Sequence, residues 1–158
     1  MTRNALIERI EAESGIEALP RYSNQIEASV LPEKIISFLS FLKTAGFEHL
    51  SNITAIDWIE KGVIEVVYNV WSYTEKVHIT VKSPVSRDTP VSFTCLELWP
   101  QGRVYEQELH EMFGVSFQGN PTQGPLFLHN WKDIPPLRKD FNTGEYSRRA
   151  YGYLEEGK

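Results

Sequence analysis

The sequence predicts an α+β fold, a mainly antiparallel sheet covered by helices on one face, followed by an extended irregular C-terminal tail. Three observations carry this. Three segments repeat apolar residues at helical spacing, four runs rich in Val, Ile, Thr, Phe and Trp follow one another, and the chain after Phe117 loses every periodicity. At 158 residues the chain suits a single body with its own core. We therefore expect a globular α+β domain over 1–117 and a tail over 118–158.

Residues 2–13 place Leu6 and Ile10 on one row, beside Ala5, Arg9 and Ala12, which gives a short peripheral amphipathic helix stopped by Gly15. Tyr22–Val30, bounded by Pro20 and Pro32, alternates Ile26, Ala28 and Val30 as a first strand. Pro32 suits a first helical turn. Ile35, Phe38, Leu39, Leu42 and Ala45 then form one apolar face before Gly46 ends the helix.

A β meander follows in Leu50–Glu60, Val63–Ser72, Lys76–Lys82 and Val91–Trp99. Lys61-Gly62 and Ser72–Glu75 are short enough to pair consecutive strands antiparallel, whereas Ser83–Pro90 has two prolines and no pattern. His78, Thr80 and Lys82 give one wet or interface-facing side. The helices belong on the other.

Arg103 to Phe113 reads as a helix, with Tyr105, Leu109, Met112 and Phe113 on the core side and Gly114 at the left-handed cap. From Gln118 onward the chain holds five Gly and four Pro, yet also Phe127, Trp131, Phe141, Tyr146, Tyr151 and Tyr153. A solvated linker would not carry so many rings, so this tail needs a surface to lie on. Phe127, Trp131, Leu137 and Phe141 are spaced too widely for a helix but suit the anchors of an extended strap, which either folds on its own domain, grips a partner, or does both. Arg138 and Lys139, next to Asp140, can fix its register by carboxylate pairing.

Composition narrows the function classes. A net charge of -5 argues against a nucleic-acid surface. The basic residues Arg138, Lys139, Arg148 and Arg149 nevertheless cluster in the tail, as for an acidic partner surface or lipid headgroups. No apolar run approaches the roughly 20 residues of a membrane span, and MTRNALIERIEAESG lacks the apolar stretch of a secretory signal. The expectation is a protein on the cytoplasmic side. Cys95 is the lone cysteine, too few thiolates for an iron–sulfur cluster, a disulfide or a thiolate zinc site.

Two constellations merit comparison with active sites. Glu106 and His110 share a helix face with Glu111 adjacent, so they can be written as ligands of a free-standing metal-dependent enzyme; a third protein ligand is otherwise needed, and His49, His78 and His129 have no helical spacing to His110. The other reading pairs these charges with Arg103 or with a partner protein. Asp57, among Ile53, Ala55, Ile56 and Trp58, resembles a tuned base, but no Ser–His or Cys–His arrangement accompanies it, which favours a structural hydrogen-bonding role. Gly114, Gly119 and Gly124 lack the strand-to-helix context of a phosphate loop and serve turn geometry.

The segment Glu106-x-Glu108-x-His110-Glu111-Met112-Phe113-Gly114-Val115-x-Phe117-x-Gly119-Asn120-Pro121, then Trp131 and Pro136-Leu137-Arg138-Lys139-Asp140-Phe141, resembles the signature of the NuoC or 30-kilodalton subunit of complex I. Weaker similarity reaches back to Leu31. Gln107 stands where that family has Arg, His110-Glu111 where it has Tyr-Asp, and Asn120 where it has His, departures similar to the branch in membrane-bound hydrogenases and methanogen dehydrogenases. The resemblance implies a non-catalytic subunit of the hydrophilic arm, packed against a NuoD-like or hydrogenase-like large subunit and near a NuoB-like cluster subunit. It also implies that iron–sulfur clusters and a quinone or nickel–iron site reside in those partners, and that membrane association comes only through the complex. It assigns Glu106 and Glu108 to electrostatic fixing of the large-subunit contact. His110, Met112, Phe113, Gly114, Asn120, Pro121, Trp131, Pro136, Leu137, Arg138, Lys139, Asp140 and Phe141 complete the expected partner-binding set, with no catalytic residue and no metal ligand.

Overall fold

A computed structural model of the chain describes residues 3–152. Strands β1 (Ala18–Pro20), β2 (Gln25–Ser29), β3 (His49–Trp58), β4 (Val63–Ser72) and β5 (Val77–Ser86) form one sheet in the order β1-β2-β5-β4-β3. The expected meander is its centre: Ile53 lies opposite Tyr68, and Tyr68 opposite Val81. Gly62, at φ 65°, turns β3 into β4 through a single 3-10 turn, Ile59–Lys61. β5 runs past the expected end at Lys82, through Pro84. Val30 N donates to Lys82 O, so β2 stops there and the missing N–H of Pro84 points to the side β2 has vacated.

Alternation decides the faces. Ile53, Ala55 and Asp57 of β3, Ile64, Val66, Tyr68 and Val70 of β4, and Val77, Ile79, Val81 and Val85 of β5 are all buried on one side. On the other side His78, Thr80 and Lys82 remain partly open, as expected. The buried side is covered by α2 (Ile35–Thr44), which follows a 3-10 turn opened by Pro32 and inserts Ile35, Phe38, Leu39 and Leu42. The first helix, α1 (Arg3–Ser14), joins the same core through Leu6, Ile7 and Ile10. Its expected peripheral place is corrected: three large aliphatic side chains, each contributing about 1.5–3 kcal/mol when fully buried, anchor it to the sheet.

The expected strand Val91–Trp99 is also corrected. Only β6 (Val91–Phe93) is extended, and the chain then turns, with Leu98 N and Trp99 N both donating to Cys95 O. β6 pairs in parallel with β7 (Ser116–Gln118), outside the main sheet, and α3 (Gly102–Phe113) makes the crossover that parallel strands require. The amino end of α3 comes very close to β3 and the Cys95 turn. A Cβ at Gly102 would stand 3.0 Å from Cys95 Sγ and 3.4 Å from Leu50 Cδ2.

The tail has neither helix nor strand from Gly119 to Asn142, then forms a helix that the spacing of apolar residues does not predict, α4 (Thr143–Tyr151). Asn142 caps it by accepting from Glu145 N at 3.0 Å, and Gly152 at φ 64° closes it. Tyr153 lies outside the described residues, as does the first residue of the expected 2–13 helix.

Candidate functional site

The signature residues gather around α3, whose core face is the expected one. Leu109 and Phe113 are buried, the Tyr105 hydroxyl donates to Ser51 O at 3.0 Å, and Gly114 at φ 81° ends the helix with its N–H on His110 O. Gly114 is required twice over. Besides its left-handed backbone, a Cβ there would meet Pro135 Cγ at 3.2 Å and Arg138 Nη2 at 3.4 Å.

Glu106 is fully buried, and its carboxyl oxygens meet donors at the exits of β6 and β7 instead of the expected Arg103. Its Oε2 accepts from Thr94 Oγ1 at 2.8 Å and Asn120 Nδ2 at 2.9 Å, and its Oε1 accepts from Cys95 N at 2.8 Å. One carboxylate thus ties α3 to the exits of β6 and β7. A buried carboxyl without a cation must be matched by donors in this way. Asn120 Oδ1 in turn accepts from Thr122 N at 2.7 Å. Burial, and the neighbouring Glu106, push the Cys95 thiol upward, away from its reactive thiolate form.

Glu111 faces elsewhere and holds the start of the tail. Its oxygens accept from three consecutive amides, Leu126 N at 3.0 Å, Phe127 N at 3.0 Å and Leu128 N at 2.8 Å. Burial disfavours its charge, but the Leu128, Phe127 and Leu126 amides outweigh that and keep the carboxyl below the ordinary range. His110 Nδ1 lies 3.0 Å from Val115 O. Glu106, His110 and Glu111 therefore serve three separate sets of partners, and among the described residues no group of three His, Cys, Asp or Glu is placed to hold a metal.

Asp57 anchors the later part of the tail. Its side chain is fully enclosed and accepts from Arg87 Nε at 2.7 Å, Arg87 Nη2 at 3.0 Å and Lys139 N at 2.8 Å. The Arg87 guanidinium, opposed by burial and helped by the Lys139 amide, holds the Asp57 carboxyl below its usual value. Arg87 Nη2 also reaches Asp140 Oδ1 at 2.7 Å. Arg138 Nε donates to Phe113 O at 2.8 Å, its Nη2 to Arg87 O at 3.1 Å, and Leu137 N to Met112 O at 3.0 Å. The Pro136 to Phe141 segment is thus latched on its own domain through its backbone, Arg138 and Asp140. The side chains of Leu137, 53% exposed, and Lys139 face outward.

The distal tail packs on itself. Trp131, Phe141 and Tyr146 form a ring triad with centroids 4.8–5.7 Å apart, and Tyr151 stands 6.3 Å from Tyr146. Phe127, 61% exposed, stays outside the triad. Glu108 and Pro136 are half-buried, and Pro121 is exposed. Sequence reasoning missed Arg87 and Thr94. Arg87 sits in a link without periodicity and Thr94 within an expected strand, and nothing local marks either as a partner of a carboxylate elsewhere in the chain. No helix among the described residues is long and apolar enough to cross a membrane.

Comparison with known proteins gives consistent matches. The respiratory-chain NADH dehydrogenase 30 Kd subunit family matches residues 28–147. The C-type subunit of the NADH-quinone oxidoreductase of Rhizobium rhizogenes is 30% identical over 153 residues, covering 94% of this chain and 72% of that protein. The C-type subunit of the F(420)H(2) dehydrogenase of Methanosarcina mazei is 30% identical over 136 residues, covering 82% of this chain and 81% of that protein. Among solved structures, a chain of the membrane-bound sulfane sulfur reductase, an archaeal respiratory membrane complex, superposes with a TM-score of 0.91 at 29% identity, covering 98% of this chain and 94% of that one. The trypsin-resistant fragment of Nqo5 shares the fold, with a TM-score of 0.66 at 21% identity over 77% of this chain and 99% of that one.

Proposed function

The chain belongs to the respiratory-chain NADH dehydrogenase 30 kDa subunit family, and from that membership we propose that it is a non-catalytic, peripheral subunit in the hydrophilic arm of a complex I-related membrane-bound oxidoreductase. In this account the body over 1–117 and the tail over 118–158 order a NuoD-like or hydrogenase-like large subunit beside a NuoB-like cluster subunit. The chain thereby holds their iron–sulfur clusters and their quinone or nickel–iron site at electron-transfer distance. Ion translocation belongs to the whole assembly, and this subunit sits on the cytoplasmic side, reaching the membrane only through its neighbours.

The observation that carries this reading is what the carboxylates do. Glu106, Glu111 and Asp57, the groups best suited to acid–base or metal chemistry by type and burial, are each saturated by donors of their own chain. They position backbone, and the outward side of the tail remains for a neighbour. A permanent contact of this kind should bury well over roughly 2,000 Å².

The test is affinity purification of the tagged full chain from detergent-solubilised membranes, followed by mass spectrometry. The large subunit and a cluster-bearing subunit should be recovered in equal amounts with it. Recovery of the chain alone, under conditions that keep other membrane complexes intact, would overturn the proposal.

A further inference from the structure

Where the tail passes α3 it leaves a cleft of about 420 Å³, lined chiefly by His110, Gln123, Pro125, Leu128, Asn130 and Trp131. Bonds within the chain set its walls before any ligand arrives. Gln107 Nε2 donates to Gly124 O at 3.0 Å, Gln123 Oε1 accepts from Phe117 N at 2.8 Å, and Trp131 Nε1 donates to Ile134 O at 3.0 Å. The volume lies at the small end of ligand sites, roughly 300–1,000 Å³, and suits a side chain better than a cofactor.

Two polar groups of the lining are left over. His110 Nδ1 lies 3.0 Å from Val115 O, and a carbonyl can only accept, so Nδ1 carries the proton and Nε2 is the ring's open position. Asn130 stands in a left-handed turn at φ 62°, and its side-chain amide has no hydrogen bond among the described residues.

Their surroundings select the occupant. No Lys or Arg lines the cleft, and Glu111, which does, is already matched by the Leu126, Phe127 and Leu128 amides. A charged group entering here would lose water and gain no counter-charge. A wholly apolar group would cover Nε2 and the Asn130 amide without pairing them. What fits is neutral, with an apolar body and a hydrogen-bonding tip. Pro125, Leu128 and the Trp131 ring are walls that a flat ring can cover. A phenol hydroxyl donates to Nε2 and accepts from the Asn130 amide, whereas an indole N–H only donates.

We propose that this cleft receives a tyrosine side chain of a neighbouring subunit, its ring against Pro125, Leu128 and Trp131 and its hydroxyl on His110 Nε2 and the Asn130 amide. The proposal rests on the subunit reading above and supplies one anchor of that contact.

The test titrates the full, isotope-labelled chain with the blocked peptide Gly-Tyr-Gly, following the Trp131 indole N–H and the His110 ring nitrogens by NMR. Saturable shifts at both residues are expected. Gly-Phe-Gly should bind at least about tenfold more weakly, because it leaves the polar groups covered and unpaired. His110→Asn keeps a donor for Val115 O and removes Nε2, and Asn130→Gly removes the amide at a backbone angle that glycine tolerates. Each should weaken the tyrosine peptide about fivefold or more and leave the phenylalanine peptide unchanged, a difference that lost packing alone would not produce. Asn130 is exposed, so Asn130→Gly carries the comparison if His110→Asn melts lower. No saturable shift, equal binding of the two peptides, or variants that weaken both alike would overturn the proposal; so would tighter binding of free phenol than of the tyrosine peptide, which would make the cleft a small-molecule site. If the peptide fails while the tagged chain still recovers its large subunit, this inference falls and the subunit reading stands.

Discussion

Glu106 and Asp57 answer the cost of burying a carboxyl differently. Glu106 has three neutral donors and no cation, so Glu106→Gln replaces an acceptor by an amide that faces donors. The expected loss is about 1–3 kcal/mol, seen as a melting temperature lower by several degrees. An unchanged melting temperature with weakened assembly would instead favour the partner-facing role that the family resemblance implies for this residue. Asp57 has a guanidinium and an amide, which hold its pKa below the unfolded value. Its stabilising effect is therefore complete above about pH 4 and is lost as the pH falls through the folded value. Urea midpoints should stay level near neutrality and drop in acid, and Asp57→Asn should be weaker at neutral pH with a shallower acid drop. A variant with the wild-type pH profile would contradict the latch.

At the scale of elements, the legible parts were those whose order is local. β4, β5, α2 and α3 follow from the spacing of Val, Ile, Leu and Phe along a few turns or pleats, and Gly114 marks its cap from sequence alone. β6 and β7 were not legible as a pair, because their register depends on a crossover helix and on Glu106 meeting Thr94, Cys95 and Asn120. α1 concealed its core role behind an even mixture of charged and apolar positions. α4 did have a signal, Asn142 three residues before Glu145, a capping pattern masked by the Gly and Tyr around it. Asn142→Ala should cost that helix about 1 kcal/mol. Amide exchange at Tyr146 to Tyr151 would then rise about fivefold while the global melting temperature holds, since α4 buries no residue. A global loss would show that α4 is part of the main cooperative unit.

For the whole molecule, the tail's rings pack on one another, and the body holds the tail through polar latches instead of offering those rings a surface. Asp57, Arg87 and Glu111 lie on three different segments, so no stretch of sequence announces the latch they form together. A chain ended after Asn120 should melt several degrees lower, having left Glu111 without its three amide donors, whereas one ended after Phe141 keeps both latches and should melt near the full chain. The functional claim is that the body holds the tail in place so that the tail can hold a neighbour. It is tested most directly by the amount of large subunit recovered with each of these three tagged chains. The account predicts equal amounts with the full chain, markedly less with the chain ended after Phe141 and none with the chain ended after Asn120; equal recovery with all three would contradict it.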